Sequence, residues 1–153
     1  MLGRDDAFGW FFRLAPIGGI IIFAAALWLQ RAPPAAPASD LVHGCYEAAD
    51  APAIRIDDAG IHVLQSGTPP IGFRLKRLKQ GLALVASIEA MPGPSSYRLV
   101  HRGTGRFMPL YREQAGKAFG VFGTDYDGFH LLASDGVQLS YALVAQARCT
   151  GPA

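Results

Sequence analysis

The chain has 153 residues, 50% hydrophobic and 17% charged, with a formal net charge of +2. A net charge so close to zero argues against nucleic acid as a partner. With 2 cysteines the chain can form at most one internal disulfide.

Met1 to Arg13 is a short head carrying Arg4 and Arg13. From Leu14 to Leu29 every residue is apolar or small, and extension back to Phe8 is interrupted only by Arg13. Such a run is either a membrane anchor or the apolar region of a secretory signal. As a helix the core run spans roughly 24 Å, and the extended one covers a hydrocarbon layer of about 30 Å. Arg13 lies close enough to the helix end to snorkel, and Trp10 and Trp28 sit where an aromatic belt places them. The anchor, residues 14–30 and possible from 8, is therefore the preferred reading. The adjacent pair Gly18 and Gly19 allows close packing against another transmembrane helix. The competing reading is cleavage after Ala38, since Ala36-Pro37-Ala38 fits a small-x-small site. The basic residues of the head favour an N-terminus inside and a domain outside. The expected location is a single pass through a bacterial inner membrane, N-terminus cytoplasmic and domain periplasmic.

Arg31 to Ser39 is rich in Pro and Ala and has no branched apolar residue. It reads as an extended spacer of about 25 to 30 Å. The folded domain is expected over 40–149, with 150–153 as a tail, which is enough for one hydrophobic core.

Within the domain, short alternating runs separated by turn signals predict strands. These are Leu41–Glu47, Ala53–Asp57, Ile61–Gln65, Ile71–Leu78, Leu82–Ala90, Tyr97–Arg102, Arg106–Arg112, Ala118–Gly123, Phe129–Ala133 and Val137–Ala147. Turns fall at Asp57-Asp58-Ala59-Gly60, Gln80-Gly81, Gly103-Thr104-Gly105 and Ser134-Asp135-Gly136. Leu82, Leu84, Ala86, Ile88 and Ala90 share one parity, as do Val137, Leu139, Tyr141, Leu143, Ala145 and Ala147. The expected fold is all-β: a small up-and-down meander closing into a barrel, or a β-sandwich, after one N-terminal transmembrane helix. Cys45 in the first strand and Cys149 after the last are expected to form one disulfide in an oxidising compartment.

No segment carries an enzyme signature. His43, His62, His101 and His130 are scattered without local metal-ligand spacing. Thr124-Asp125-Tyr126-Asp127-Gly128 resembles only the start of a calcium loop and reads as a turn. Ser134, Asp135 and His130 are triad residue types without a nucleophile elbow. No catalytic residue, metal or cofactor is assigned.

Charge is unevenly spread. The segment 40–58 is net −4, 71–117 is net +7, and the remainder of the domain is net −2. Arg74, Lys76, Arg77 and Lys79 fall within six positions. Because buried cations are costly, this strand is expected at a rim, an edge or a bulge. The four residues are a candidate surface for an anionic partner such as another envelope protein, a lipid or a glycan. Edge protection by charge is the plainer account of the same residues. Together these features predict a non-enzymatic accessory or scaffold domain of an envelope assembly. The alternative is a barrel that binds a small apolar or anionic ligand.

A reporter fused after Ala153 should be active only in the exported compartment, and the mature chain should keep its N-terminus. Recovery of a soluble species beginning at Ser39 would show secretion instead.

Overall fold

The computed structural model describes residues 35–149. The head, the apolar run with Gly18 and Gly19, most of the spacer and the tail lie outside the described residues. Among the described residues no helix is long and apolar enough to cross a membrane.

Residues 35–38 have no regular structure, and Ser39–Val42 forms a single 3-10 turn. Nine strands follow: β1 Gly44–Ala48, β2 Ala51–Asp57, β3 Gly60–Val63, β4 Phe73–Leu78, β5 Gly81–Pro92, β6 Tyr97–Gln114, β7 Lys117–Gly120, β8 Gly128–Leu132 and β9 Gln138–Val144. A second 3-10 turn, Gln146–Arg148, ends the fold. All the pairings are antiparallel, in the order β3-β2-β1-β9-β8-β6-β5-β4, with β7 added to β6. First and last strands meet, since Cys45 lies opposite Val144. The sheet nearly closes into a barrel.

Between β3 and the segment leading into β4 the ladder is a single bridge. Ile61 and Ile71 exchange both backbone hydrogen bonds, N to O at 2.8 and 2.9 Å. Gly60, next to it, has φ +130°, and a Cβ there would lie 2.7 Å from the Ile71 carbonyl oxygen. Glycine is what lets the two chain segments approach.

The interior is filled. Tyr46, Phe129 and Tyr141 form an aromatic column, with ring centroids 5.0 Å apart at each step. Ile54, Ile56, Leu84, Met108 and Leu131 pack around it, all essentially inaccessible. The even parity of β5 points inward as expected, from Leu82 to Ala90. Ala86 and Ala90 are covered by the core rather than opening a void, whereas Ala145 and Ala147 are exposed.

Four sequence expectations are corrected. The first strand begins at Gly44, because residues 39–42 coil into the 3-10 turn. The expected pair Tyr97–Arg102 and Arg106–Arg112 is one strand, β6. Its Gly103-Thr104-Gly105 segment is accommodated as a bulge: between Ile88↔His101 and Ala86↔Arg106, β6 advances farther than β5. The seventh strand is the shorter Lys117–Gly120. The last strand is the shorter Gln138–Val144, in which only Leu139 and Tyr141 are buried; Leu143, and Val137 just before the strand, are 42% and 47% exposed.

Cys45 and Cys149 stand at disulfide distance, with Cα atoms 5.8 Å apart and a sequence separation of 104. The pair joins the first strand to the end of the domain, as expected from the sequence.

Gly60→Ala should destabilise the fold by about 1 to 3 kcal/mol, because a β-carbon meets backbone at the closing bridge. Gly72→Ala, where a β-carbon would meet nothing within 4 Å, should stay within about 0.5 kcal/mol. Urea melts of the two variants compare them directly, and equal losses would deny closure its dependence on Gly60.

Candidate functional site

β4 is the last strand of the sheet, and beyond the Ile71 bridge it pairs only with β5. Ile71 turns its N–H and C=O toward β3, so the same parity, Phe73, Leu75 and Arg77, turns these groups to the open edge. Arg74, Lys76, Arg77 and Lys79 are all exposed. Leu75 between them is buried in the core, which pins the strand despite its charge. Of the rim, edge or bulge expected from the cost of burying cations, the strand takes the edge.

On the outer face, two rows cross β4, β5 and β6: Arg74 beside Val85 beside Phe107, and Lys76 beside Ala83 beside Pro109. Val85 and Ala83 are buried although they face outward. Their neighbours in these rows are a long cationic stem, Phe107 or Pro109, so alkyl chain and ring close over them. The Lys76 ammonium lies 5.3 Å from the centroid of the Phe107 ring, a cation–π contact. Phe107 itself is 48% exposed. The result is an amphipathic face: an apolar floor and exposed ring bordered by cations.

The β6 bulge is held by a residue that the sequence analysis passed over. Glu89 is the one carboxylate from Ile71 to Arg112, and it is 6% exposed. Its Oε2 accepts from Arg102 at 2.9 Å, and its Oε1 accepts from Arg106, so one carboxylate clasps both sides of the bulge. The Arg102 hydrogen bond and the charges of Arg106 and Arg102 hold the Glu89 carboxyl below the usual range, against the effect of burial. The signal was its isolation among cations.

Most of the remaining titratable candidates have structural partners, while His101 is exposed on β6 and the buried His43 Nε2 has no hydrogen-bond partner. His62 Nε2 is 2.8 Å from Asp57, whose carboxyl is lowered chiefly by that bond, and Arg55 lies 3.3 Å from the same carboxylate. His43 approaches Asp58 at 3.7 Å. His130 stacks flat on Tyr111 at 4.2 Å and bonds the Ser140 hydroxyl at 3.1 Å; burial lowers its pKa. Asp135 accepts from the Tyr97 hydroxyl and the Val137 N–H rather than meeting His130. Asp125 pairs with Arg112, and the Asp127 carboxylate accepts the Glu113 N–H. Among the described residues no group of three or more His, Cys, Asp or Glu is placed to hold a metal ion.

Comparison with protein-family models, with characterised proteins and with solved structures finds no match to this chain.

The lowered Glu89 carboxyl contributes stability above the ordinary carboxylate pKa, and that part is lost as pH falls through its lower folded value. Glu89→Gln should therefore be clearly less stable than the wild type at neutral pH, with the gap closing below about pH 4. Denaturant midpoints across that range test this, and a pH-independent gap would assign the loss to packing instead.

Proposed function

We propose that this chain is a non-enzymatic, membrane-anchored envelope protein whose periplasmic β-domain is an accessory or scaffold subunit, presenting the outer face of β4–β5–β6 to an anionic protein partner. The observation that carries this reading is the contrast between inside and outside. The interior is occupied by Tyr46, Phe129, Tyr141 and their aliphatic neighbours. The outer face carries Arg74 and Lys76 without a carboxylate in ion-pair distance among the described residues. A filled barrel supports recognition on the surface over a ligand held within. The N-terminal run Leu14–Leu29 supports the anchored topology.

Replacing Arg74 and Lys76 by Gln should leave folding nearly intact, since exposed substitutions usually cost within about 0.5 kcal/mol. Co-purification of a partner from detergent-solubilised membranes should fall several-fold, and raised salt should mimic the change, because exposed charges are screened beyond roughly 10 Å. Unchanged co-purification with increased light scattering would reduce these cations to guardians of the open edge.

A further inference from the structure

We propose that the end of the barrel from which β4 and the β6–β7 hairpin project is a docking site for an anionic lipid surface. The proposal rests on the anchored reading for its geometry in the cell.

Strand stagger sets the site apart from the rest of that end. Ile61, one residue into β3, is level with Ile71. β4 then continues to Leu78, seven residues beyond the bridge, or roughly 23 Å along the strand. The acidic turn Asp57-Asp58 lies beside the start of β3 and is therefore set back from the tip. The β6–β7 hairpin extends the same side. Tyr111 is opposite Gly128 of β8 and also opposite Gly120 of β7, so β7 lies on the β5 side of β6 and continues the line of β5 outward.

Cations and aromatic rings meet at this tip. The turn that carries Lys79 packs directly against the end of β7. The Leu82 N–H donates to the Val121 carbonyl at 2.6 Å, and a Cβ on Gly81 would lie 2.7 Å from that oxygen. By parity with Leu75 and Leu110, the residues Arg77, Arg112 and Gln114 lie on the face that lines the core lower down. Phe119 is opposite Arg112, and Lys117 is opposite Gln114, on that same face. Phe119 and Phe122 are 51% and 53% exposed. Arg112 is already compensated by Asp125. Arg77, Lys79 and Lys117 have no carboxylate within ion-pair distance among the described residues. Glu113 has the opposite parity.

Exposed rings beside uncompensated cations suit an interface that is apolar inside and anionic at its surface. A second copy of this chain suits it less, because Arg77, Lys79 and Lys117 would meet their own kind. The path of the chain agrees. The spacer enters the domain at the 3-10 turn Ser39–Val42, and the Leu41 carbonyl accepts from Tyr126 at 3.0 Å, in the loop that follows Phe122. The covalent route from the apolar run therefore arrives at the end that carries the rings.

The test uses the full chain, one copy per lipid nanodisc, and hydrogen–deuterium exchange of peptides covering 76–82 and 115–124. Discs containing phosphatidylglycerol should slow exchange in both peptides about tenfold relative to discs of phosphatidylcholine alone. Arg77→Gln with Lys79→Gln and Lys117→Gln should abolish the difference, as should Phe119→Ser with Phe122→Ser. Arg74→Gln with Lys76→Gln should retain it, which separates this site from the proposed protein-binding face. Unchanged slow exchange in β5 confirms that each variant is folded. Equal exchange in both lipids overturns the proposal, as does protection that appears only with two chains per disc or only when membrane proteins are added. If the chain fails to stay with phosphatidylcholine discs, the anchored reading is what fails. Salt-sensitive co-sedimentation with phosphatidylglycerol vesicles then supports the lipid site, and no co-sedimentation overturns it.

Discussion

The nearly closed sheet has its ends joined at one residue pair, Ile61 and Ile71, and much else follows from that pair falling just before β4. Had β3 been longer, the two strands would share a ladder and β4 would be an interior strand. Arg77, on the inward parity of Leu75, would then face the core, where a cation is costly. Instead β3 has four residues, and the rest of β4 stands with one edge unpaired. An unpaired edge invites another strand, and charge along it discourages that. The basic character of Arg74 to Lys79 thus suits the open edge that this early bridge leaves.

A second constraint holds the mouth of the barrel. The Tyr46 hydroxyl donates to the Val42 carbonyl at 2.7 Å and lies 2.9 Å from the Tyr126 hydroxyl, which bonds the Leu41 carbonyl. Burial raises the pKa of both phenols, so they remain neutral donors across the physiological range. Two orphan carbonyls of the first 3-10 turn are satisfied, and the loop before β8 is fastened over the core. Gly128, where a Cβ would lie 1.9 Å from the Tyr141 carbonyl oxygen, brings β8 and β9 together behind that loop.

Much of this was legible in the sequence, for identifiable reasons. The strict alternation of Leu82 to Ala90 placed β5 and its inner face correctly, because a period of two has only one burial solution when one face is covered. The cost of burying cations narrowed β4 to a rim, an edge or a bulge, and the edge is where it lies. What could not be read was anything set by register. Gly103-Thr104-Gly105 has the composition of a turn, and whether such a segment reverses the chain or bulges within one strand depends on partners far away in sequence. Here Glu89, an ordinary outward residue by pattern, decides for the bulge by taking an arginine on each side. The joining of the Lys79 turn to Phe119 and Phe122 was hidden for the same reason, since the stagger that brings them together is a property of the closed sheet.

The cysteine pair has a mechanical meaning. Tension applied at Ser39, where the first 3-10 turn begins, reaches Cys45 six residues later. There it divides, part passing directly to Cys149 and part into β1. β1 is held along both sides, by β2 and by β9, and load applied along a strand must shear several hydrogen bonds at once rather than unzip them singly. A pull applied at Ser39 is therefore met where the sheet resists best. Residues beyond Cys45 are enclosed in a covalent loop that such a pull cannot draw out.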